Sequence, residues 1–164
     1  MNDYVLSDSY FVGIDPGASG AIAVIDSDGR LRDSIAFDKM RYPTVSNAIR
    51  SIVLSWPHGI RLVSLEKVSS MPKQGVASSF KFGASYGYIQ GVLDTLDINY
   101  ILIRPQEWQK TILKGLNRGD KNITKDYCRR KYGIDNVKAT PRSTTPHSGI
   151  CDAICLAEYA RAQL

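Results

Sequence analysis

The segment from Phe11 to Ile25 constrains this chain most, because two apolar runs there flank a short turn rich in glycine and proline. Valine, isoleucine and phenylalanine favour the pleated backbone of a buried strand, whereas Pro16, Gly17 and Gly20 interrupt it. The first run ends in Asp15, and a buried carboxylate without a partner costs several kcal/mol. Asp15 therefore either holds a divalent metal at a phosphate-processing site or caps its own turn through an Asx hydrogen bond. In the first case, the glycines would let a phosphate approach the carboxylate.

The rest of the chain alternates between strand and helix patterns. Asp28-Gly29 predicts a hairpin turn, because glycine accepts the positive φ that a tight turn requires, so the first three strands should form an antiparallel meander. The expected strands are 11–15, 20–26, 31–37, 61–66 and 99–103, and the expected helices are 44–56, 76–97, 123–132 and 149–163, with another helix opening at 104–108. This order indicates a mixed α/β fold in one domain, 1–164, in which residues 1–9 form a flexible leader.

Hydropathy argues against a membrane protein. No window approaches the ~18 uninterrupted apolar residues of a membrane span, and no signal-peptide pattern opens the chain, so we expect a cytoplasmic protein with no membrane partner. The formal net charge of +5 is compatible with a polyanionic partner. Cys151 and Cys155 lie four apart on a predicted helix and lack zinc-finger spacing, so we expect them to be small buried hydrophobic side chains.

Three carboxylates fall where strand or helix ends would present them to one cleft. Asp15 and Glu66 each end an apolar strand, and Asp152 lies near the first turn of the last helix. Because grouped acids repel each other, a hard divalent cation is their natural counter-charge. Two such ions about 4 Å apart would serve phosphodiester hydrolysis, one by lowering the pKa of the attacking water and the other by stabilising the leaving oxygen. Taken singly, each acid favours a structural role, whereas the three acids together with the glycine turn favour the metal site.

These acids occur in motifs that resemble those of a known family. The run Val12–Gly17, followed by Leu65-Glu66 and by Cys151–Ala153 in a terminal helix, resembles the RuvC family of Holliday junction resolvases, within the RNase H-like superfamily. The segment from Glu66 to Gly91, followed by Arg104–Lys110, is most similar to the short RuvC-like enzymes of bacteriophages and plant organelles. The similarity extends over nearly the whole chain.

The resemblance implies an RNase H-like fold with a five-stranded mixed sheet, three strands antiparallel and two parallel, flanked by helices. It also implies a homodimeric endonuclease that binds branched DNA and cuts two strands of a four-way junction symmetrically, using Mg2+, for which Mn2+ would substitute. A two-fold dimer suits a two-fold substrate. The dimer contact would lie on helix 76–97, where Gly83, Gly87 and Gly91 form one stripe.

The resemblance further implies roles for individual side chains. The expected metal ligands are Asp15, Glu66, Asp152 and His147. The same four residues, with Lys110 and Lys121 near the scissile phosphate, form the expected catalytic set. The expected DNA-binding residues are Lys73, Gln74, Lys110, Lys114, Arg118, Lys121 and Lys125. Each lysine is equally compatible with a solvated surface charge, but together they should make DNA affinity fall steeply with salt.

The family's fourth acidic position is not acidic in this chain, which has His147, Ser148 and Gly149 there. A histidine can bind a divalent ion or act as a base, so we assign His147 to this position and expect a second metal site that favours Mn2+. His147 is also compatible with a helix cap, and Ser148 with the fourth position. No aromatic residue stands directly after Glu66 to open the junction, and Phe80 is as compatible with the core as with that role.

Other functions share parts of this pattern. An actin-like or sugar-kinase ATPase also begins with a strand, an Asp-x-Gly turn and a strand, but it needs two such domains, which 164 residues cannot supply. A related nuclease acting on RNA or on an RNA–DNA hybrid, and a junction-binding protein with weakened catalysis, are the two other candidates. Metal-dependent cleavage of a junction and of a hybrid separates them.

Overall fold

A computed structural model describes residues 9–40, 42–56, 59–68 and 75–164. Its strands are β1 (Tyr10–Asp15), β2 (Ala21–Asp26), β3 (Leu31–Ala36), β4 (Ile60–Glu66) and β5 (Tyr100–Ile103). Its helices are α1 (Tyr42–Ser55), α2 (Val76–Thr95), α3 (Pro105–Ile112), α4 (Ile123–Tyr132) and α5 (Ser148–Arg161), with a short 3-10 turn at Ile134–Val137. Over these ranges, none of the helices combines the length and the apolar character needed to cross a bilayer.

The five strands form one mixed sheet in the order β3-β2-β1-β4-β5. Strands β1, β2 and β3 pair antiparallel, whereas β4 pairs parallel with β1 and β5 pairs parallel with β4. Gly29 has a φ of +80° in the β2–β3 hairpin, as the sequence predicts for that turn. The predicted fold class, a five-stranded mixed sheet flanked by helices, is confirmed.

Strand alternation assigns each helix to one face of the sheet. Successive side chains of a strand point to opposite faces, and Val12 and Ile14 of β1 pack in one core cluster with residues of α1 and α2. Gly13 lies between them in β1, so it faces the other side of the sheet, where it contacts α5. A Cβ built on Gly13 would lie 1.9 Å from the Ala153 carbonyl oxygen, so glycine allows α5 to pack directly on the backbone of β1.

The second face of the sheet carries α3, α4 and α5, and α5 supplies the largest share of its core. Cys151 and Cys155 are fully buried there as free thiols, which confirms that they act as small core side chains. Cys128 of α4 is equally buried, and its Sγ lies 3.5 Å from the Cys151 carbonyl oxygen and 4.0 Å from Cys155 Sγ. Helix α4 is therefore packed tightly against α5.

Within the described residues, helix α2 is largely exposed. Of its twenty residues, Ile89 and Leu93 are buried, whereas Val76 is 88% exposed and Phe80 is 77% exposed. Phe80 therefore lies outside the core. The helix ends at Thr95, two residues earlier than the periodicity predicts, and Asp97 adopts the left-handed φ of +53° that is typical beyond a helix end.

Candidate active site

Parallel pairing places Asp15 and Glu66 at the same edge of the sheet. Ile14 of β1 lies opposite Leu65 of β4, and each strand ends at the next residue. Because Ile14 and Leu65 both belong to the core beneath α1 and α2, alternation turns the two acids toward the opposite face. Asp15 and Glu66 thus share the face that α5 covers.

Helix α5 brings the third acid to the same edge. Its first turn packs against the loop between β1 and β2, where a Cβ on Gly149 would lie 2.2 Å from the Ser19 carbonyl oxygen. Asp152 follows one turn later, and its charge interacts with those of Asp15 and Glu66. The structure therefore groups the three carboxylates that the sequence singles out.

The grouped acids are held in an environment that disfavours their charged forms. The pKa of Glu66 is raised to about 7, mainly by burial and in smaller part by repulsion from Asp15 and Asp152, against the lowering effect of a hydrogen bond from Trp108. Burial also raises the pKa of Asp152 to about 7, with a contribution from Asp15. The pKa of Asp15 is raised by burial, although the Gly17 amide and the charge of nearby His147 oppose the rise.

Two of the three carboxylates accept a hydrogen bond from an uncharged donor. The Gly17 amide donates to Asp15 Oδ1 over 2.9 Å, which is the Asx bond considered from the sequence. The indole Nε1 of buried Trp108 donates to Glu66 Oε1 over 2.9 Å. The side chain of Thr124, on α4, lies close enough to Asp152 to lower the pKa of that carboxyl. Such donors orient a carboxylate without neutralising it.

The chemistry of this donor set fits a hard divalent cation, because carboxylate oxygens are the ligands that Mg2+ prefers and a cation would relieve their mutual repulsion. Within the described part of the chain, no three His, Cys, Asp or Glu side chains converge closely enough to hold a metal ion as they stand. Asp15, Glu66 and Asp152 would therefore have to draw closer together around an ion.

His147 acts as the N-cap of α5. Its Nδ1 accepts a hydrogen bond from the Ile150 amide over 3.2 Å, and its Nε2 lies 2.8 Å from Asp38 Oδ2. Its charge reaches Asp15, so the ring lies near the carboxylates. Both ring nitrogens are engaged, and His147 could bind a metal ion only by giving up one of these contacts.

The basic residues fall into two groups by their surroundings. Lys125 of α4 lies close enough for its charge to lower the pKa of Asp152. Lys110, Lys114 and Arg118 instead line a surface depression of about 580 Å³ that Tyr159 of α5 also borders. Lys121 is exposed between the two groups in sequence, and the predicted DNA-binding residues Lys73 and Gln74 lie outside the described residues.

Sequence reasoning missed three side chains that contact the candidate site. Trp108 donates a hydrogen bond to Glu66, Thr124 lies near Asp152, and Asp38 contacts the ring of His147. Trp108 lies inside a motif quoted for the resemblance, which was a usable signal. Asp38 and Thr124 carry no local pattern that distinguishes them from surface residues.

No protein-family model matches the chain, and no curated protein matches it in sequence. Its fold is similar to that of solved structures. Thermus thermophilus RuvC in complex with a Holliday junction substrate has a TM-score of 0.58 at 12% identity, over 91% of this chain and 90% of that one. A second T. thermophilus RuvC structure has a TM-score of 0.60 at 16% identity, over 90% of each chain.

The large terminase nuclease of the thermophilic phage G20c is also similar, with a TM-score of 0.54 at 12% identity, over 96% of this chain and 85% of that chain. All three neighbours are nucleases of the RNase H-like fold. The chain therefore has the RNase H-like fold that its sequence motifs predict.

Proposed function

We propose that this chain is a metal-dependent endodeoxyribonuclease that resolves four-way or branched DNA junctions as a homodimer in the cytoplasm. The observation that carries the proposal is the grouping of Asp15, Glu66 and Asp152 at one edge of an RNase H-like sheet. Three acids whose charged forms are unfavourable in the free protein are poorly explained by stability alone. A cation-dependent reaction on a phosphodiester gives them a use.

Asp15, Glu66 and Asp152 would hold the divalent cations, with His147 as a fourth ligand if Nε2 leaves Asp38. Bound Mg2+ or Mn2+ would lower the pKa of the attacking water and stabilise charge on the leaving oxygen. Trp108 keeps Glu66 oriented through its indole N–H, and the Gly17 amide does the same for Asp15. These contacts leave the carboxylates charged enough to bind a cation.

The basic surface of α3 and α4 supplies the phosphate contacts in this proposal. Lys125, beside Asp152, is suited to a phosphate close to the cut. Lys110, Lys114 and Arg118 line a single depression in which a neighbouring phosphate of the same strand would be neutralised. Lys121 lies on the chain between these groups and joins the same surface.

The proposed dimer uses the exposed face of α2. Apart from neighbouring residues of the helix itself, no described atom lies within 4 Å of a Cβ built on Gly83, Gly87 or Gly91, so these glycines avoid no clash with the described part of the chain. Beside them, a groove of about 680 Å³ with mostly apolar walls runs between α1 and α2, and Tyr88 is 52% exposed at its edge. A second copy of the helix would cover both the stripe and its exposed apolar neighbours.

The substrate class rests on the junction-bound RuvC neighbour together with the proposed two-fold dimer. The test is cleavage in Mg2+ of a labelled four-way junction, the matching duplex, single-stranded DNA and an RNA–DNA hybrid. We expect the junction to be cut in preference to the others. Asp15→Asn should lower the rate by about 100-fold or more, the scale of a lost catalytic group.

Each of the other outcomes would indicate a different function. Preferential cutting of the hybrid would indicate a nuclease that acts on RNA–DNA hybrids. Equal cutting of junction and plain duplex would contradict the proposed preference for junctions. Tight junction binding without a cut in either Mg2+ or Mn2+ would leave a binding protein.

A further inference from the structure

Asp38 contacts the ring of His147 from outside the set of residues that the sequence predicts. It lies in the turn between β3 and α1, and its Oδ2 is 2.8 Å from His147 Nε2. The other ring nitrogen, Nδ1, accepts a hydrogen bond from the Ile150 amide over 3.2 Å. Because a neutral imidazole has one donor nitrogen and one acceptor nitrogen, Nε2 then carries the proton and donates it to Asp38. The Asp38 contact therefore favours the form of the ring that caps α5.

The turn that carries Asp38 has a defined shape. The Met40 amide donates to the Phe37 carbonyl oxygen over 2.9 Å, which closes a four-residue turn. Within it, Lys39 has a φ of +59°, a left-handed conformation that a residue other than glycine keeps only where its surroundings hold it. The contact between Asp38 and His147 is one interaction that holds the turn in this conformation.

This turn and the start of α5 meet at Gly20, in the loop between β1 and β2. The Phe37 amide donates to the Gly20 carbonyl oxygen over 2.9 Å, and a Cβ built on Gly149 would lie 2.8 Å from Gly20 Cα. Asp15 is the last residue of β1 before this loop, and Asp152 lies one turn into α5. The contact between the turn and the α5 cap therefore joins the elements that carry two of the grouped acids.

We infer that Asp38 is a positioning residue of the candidate site, which holds the His147 ring as the cap of α5 and so fixes the helix that carries Asp152. The inference rests on the proposed function, since it requires that Asp152 binds a cation. The side chain of Asp38 is 43% exposed, whereas that of His147 is 13% exposed. Asp38 can therefore be substituted without opening the core.

The test compares Asp38→Ala, which removes the contact, with Asp38→Asn, whose side-chain oxygen can still accept from Nε2. The first readout is the Mg2+ concentration at the midpoint of the rise in unfolding temperature of the DNA-free protein. We expect Asp38→Ala to raise this midpoint about tenfold, the scale of a lost hydrogen-bond partner around a metal site, and Asp38→Asn to stay near the wild type. The second readout is hydrogen exchange of the Ile150 amide in EDTA, which should be about fivefold faster in Asp38→Ala, the scale of one lost cap interaction.

Two further variants separate the contact from the charge. Asp33→Ala removes the same charge from an exposed position of β3 and should leave both readouts unchanged. His147→Asn tests whether Asp38 acts through the ring, because asparagine is a favourable N-cap without that contact. In the His147→Asn background, Asp38→Ala should change neither readout.

Three results would overturn the inference. Equal effects of Asp38→Ala in the two backgrounds would show that Asp38 acts through its charge alone. A lower Mg2+ midpoint in Asp38→Ala would show that Asp38 keeps His147 away from the ion. A wild type whose unfolding does not respond to Mg2+ would remove the cation that the inference requires.

The two proposals fail separately. If Mg2+ binding depends on Asp15 and on the Asp38 contact but no junction is cut, the proposed function fails and the positioning role stands. If junctions are cut and the Asp38→Ala midpoint is unchanged, the reverse holds.

Discussion

Glu66 and Asp152 occupy positions where a free carboxylate destabilises the folded protein. Burial, together with the charges of neighbouring acids, raises the pKa of both to about 7. The folded protein therefore holds protons that the unfolded chain has already released. Acids with raised pKa values lower the stability of the metal-free protein, but they remain available to bind a cation.

The first prediction concerns Glu66→Gln, which removes the charge and retains an acceptor for Trp108 Nε1. The pKa of Glu66 rises from 4.5 to about 7 on folding, so its destabilising effect is absent below pH 4.5, grows through that interval and is complete above pH 7. We expect metal-free Glu66→Gln to be more stable than the wild type at pH 8 by about 1–3 kcal/mol. At pH 4 the two proteins should be equal. Urea unfolding in EDTA across this range measures the difference.

The matched control is Glu107→Gln, at an exposed acid of α3. Hydrogen bonds from Arg104 lower the pKa of Glu107, so removing its charge should bring no gain at pH 8. Added Mg2+ should increase the free energy of unfolding of the wild type more than that of Glu66→Gln. A pH-independent difference, or a less stable Glu66→Gln at pH 8 without metal, would contradict the electrostatic origin of the effect.

Sequence reasoning singled out two acids of the candidate site because each ends a local pattern. Asp15 and Glu66 close apolar strands, and such positions can be recognised one segment at a time. Their partners could not be found in this way, since Trp108 lies 42 residues from Glu66 and Asp38 lies 109 residues from His147. Those contacts arise from packing between elements, which periodicity does not encode.

At the scale of single elements, the glycine content of α2 is unfavourable for the stability of an isolated monomer. A glycine inside a helix costs about 1 kcal/mol relative to alanine, and α2 has three on its exposed stripe. The sequence predicted the helix and its stripe correctly, but no other described element lies within 4 Å of a Cβ built on these glycines. A partner molecule would explain both the glycines and the exposed Phe80.

The second prediction tests this surface with Gly87→Arg. Because the space around Gly87 is open within the described chain, the variant should fold, and its long charged side chain should block close approach of a second α2. We expect the wild type to sediment as a dimer and Gly87→Arg as a monomer with an unchanged circular dichroism spectrum.

Gln163→Arg adds the same charge at an exposed position after α5 and serves as the control that should stay dimeric. A monomeric wild type at micromolar concentration, or a Gly87→Arg dimer of wild-type strength, would remove α2 from the interface.

At the scale of the whole molecule, the sheet separates the two proposed surfaces. Helices α1 and α2 cover one face, and α3, α4 and α5 cover the other, where the grouped acids and the basic depression lie. A dimer formed through α2 would leave both catalytic edges free. Two-fold symmetry would then direct the two centres to symmetry-related strands of a junction.

The most direct test is to map the cuts that the wild type makes in Mg2+ on a four-way junction with each strand labelled in turn. We predict paired nicks at symmetry-related positions in two opposed strands, both lost in Asp15→Asn while the junction is still bound. Cuts that persist in Asp15→Asn would show that the grouped carboxylates are not the catalytic centre. Unpaired cuts scattered over all four strands would contradict a two-fold nuclease.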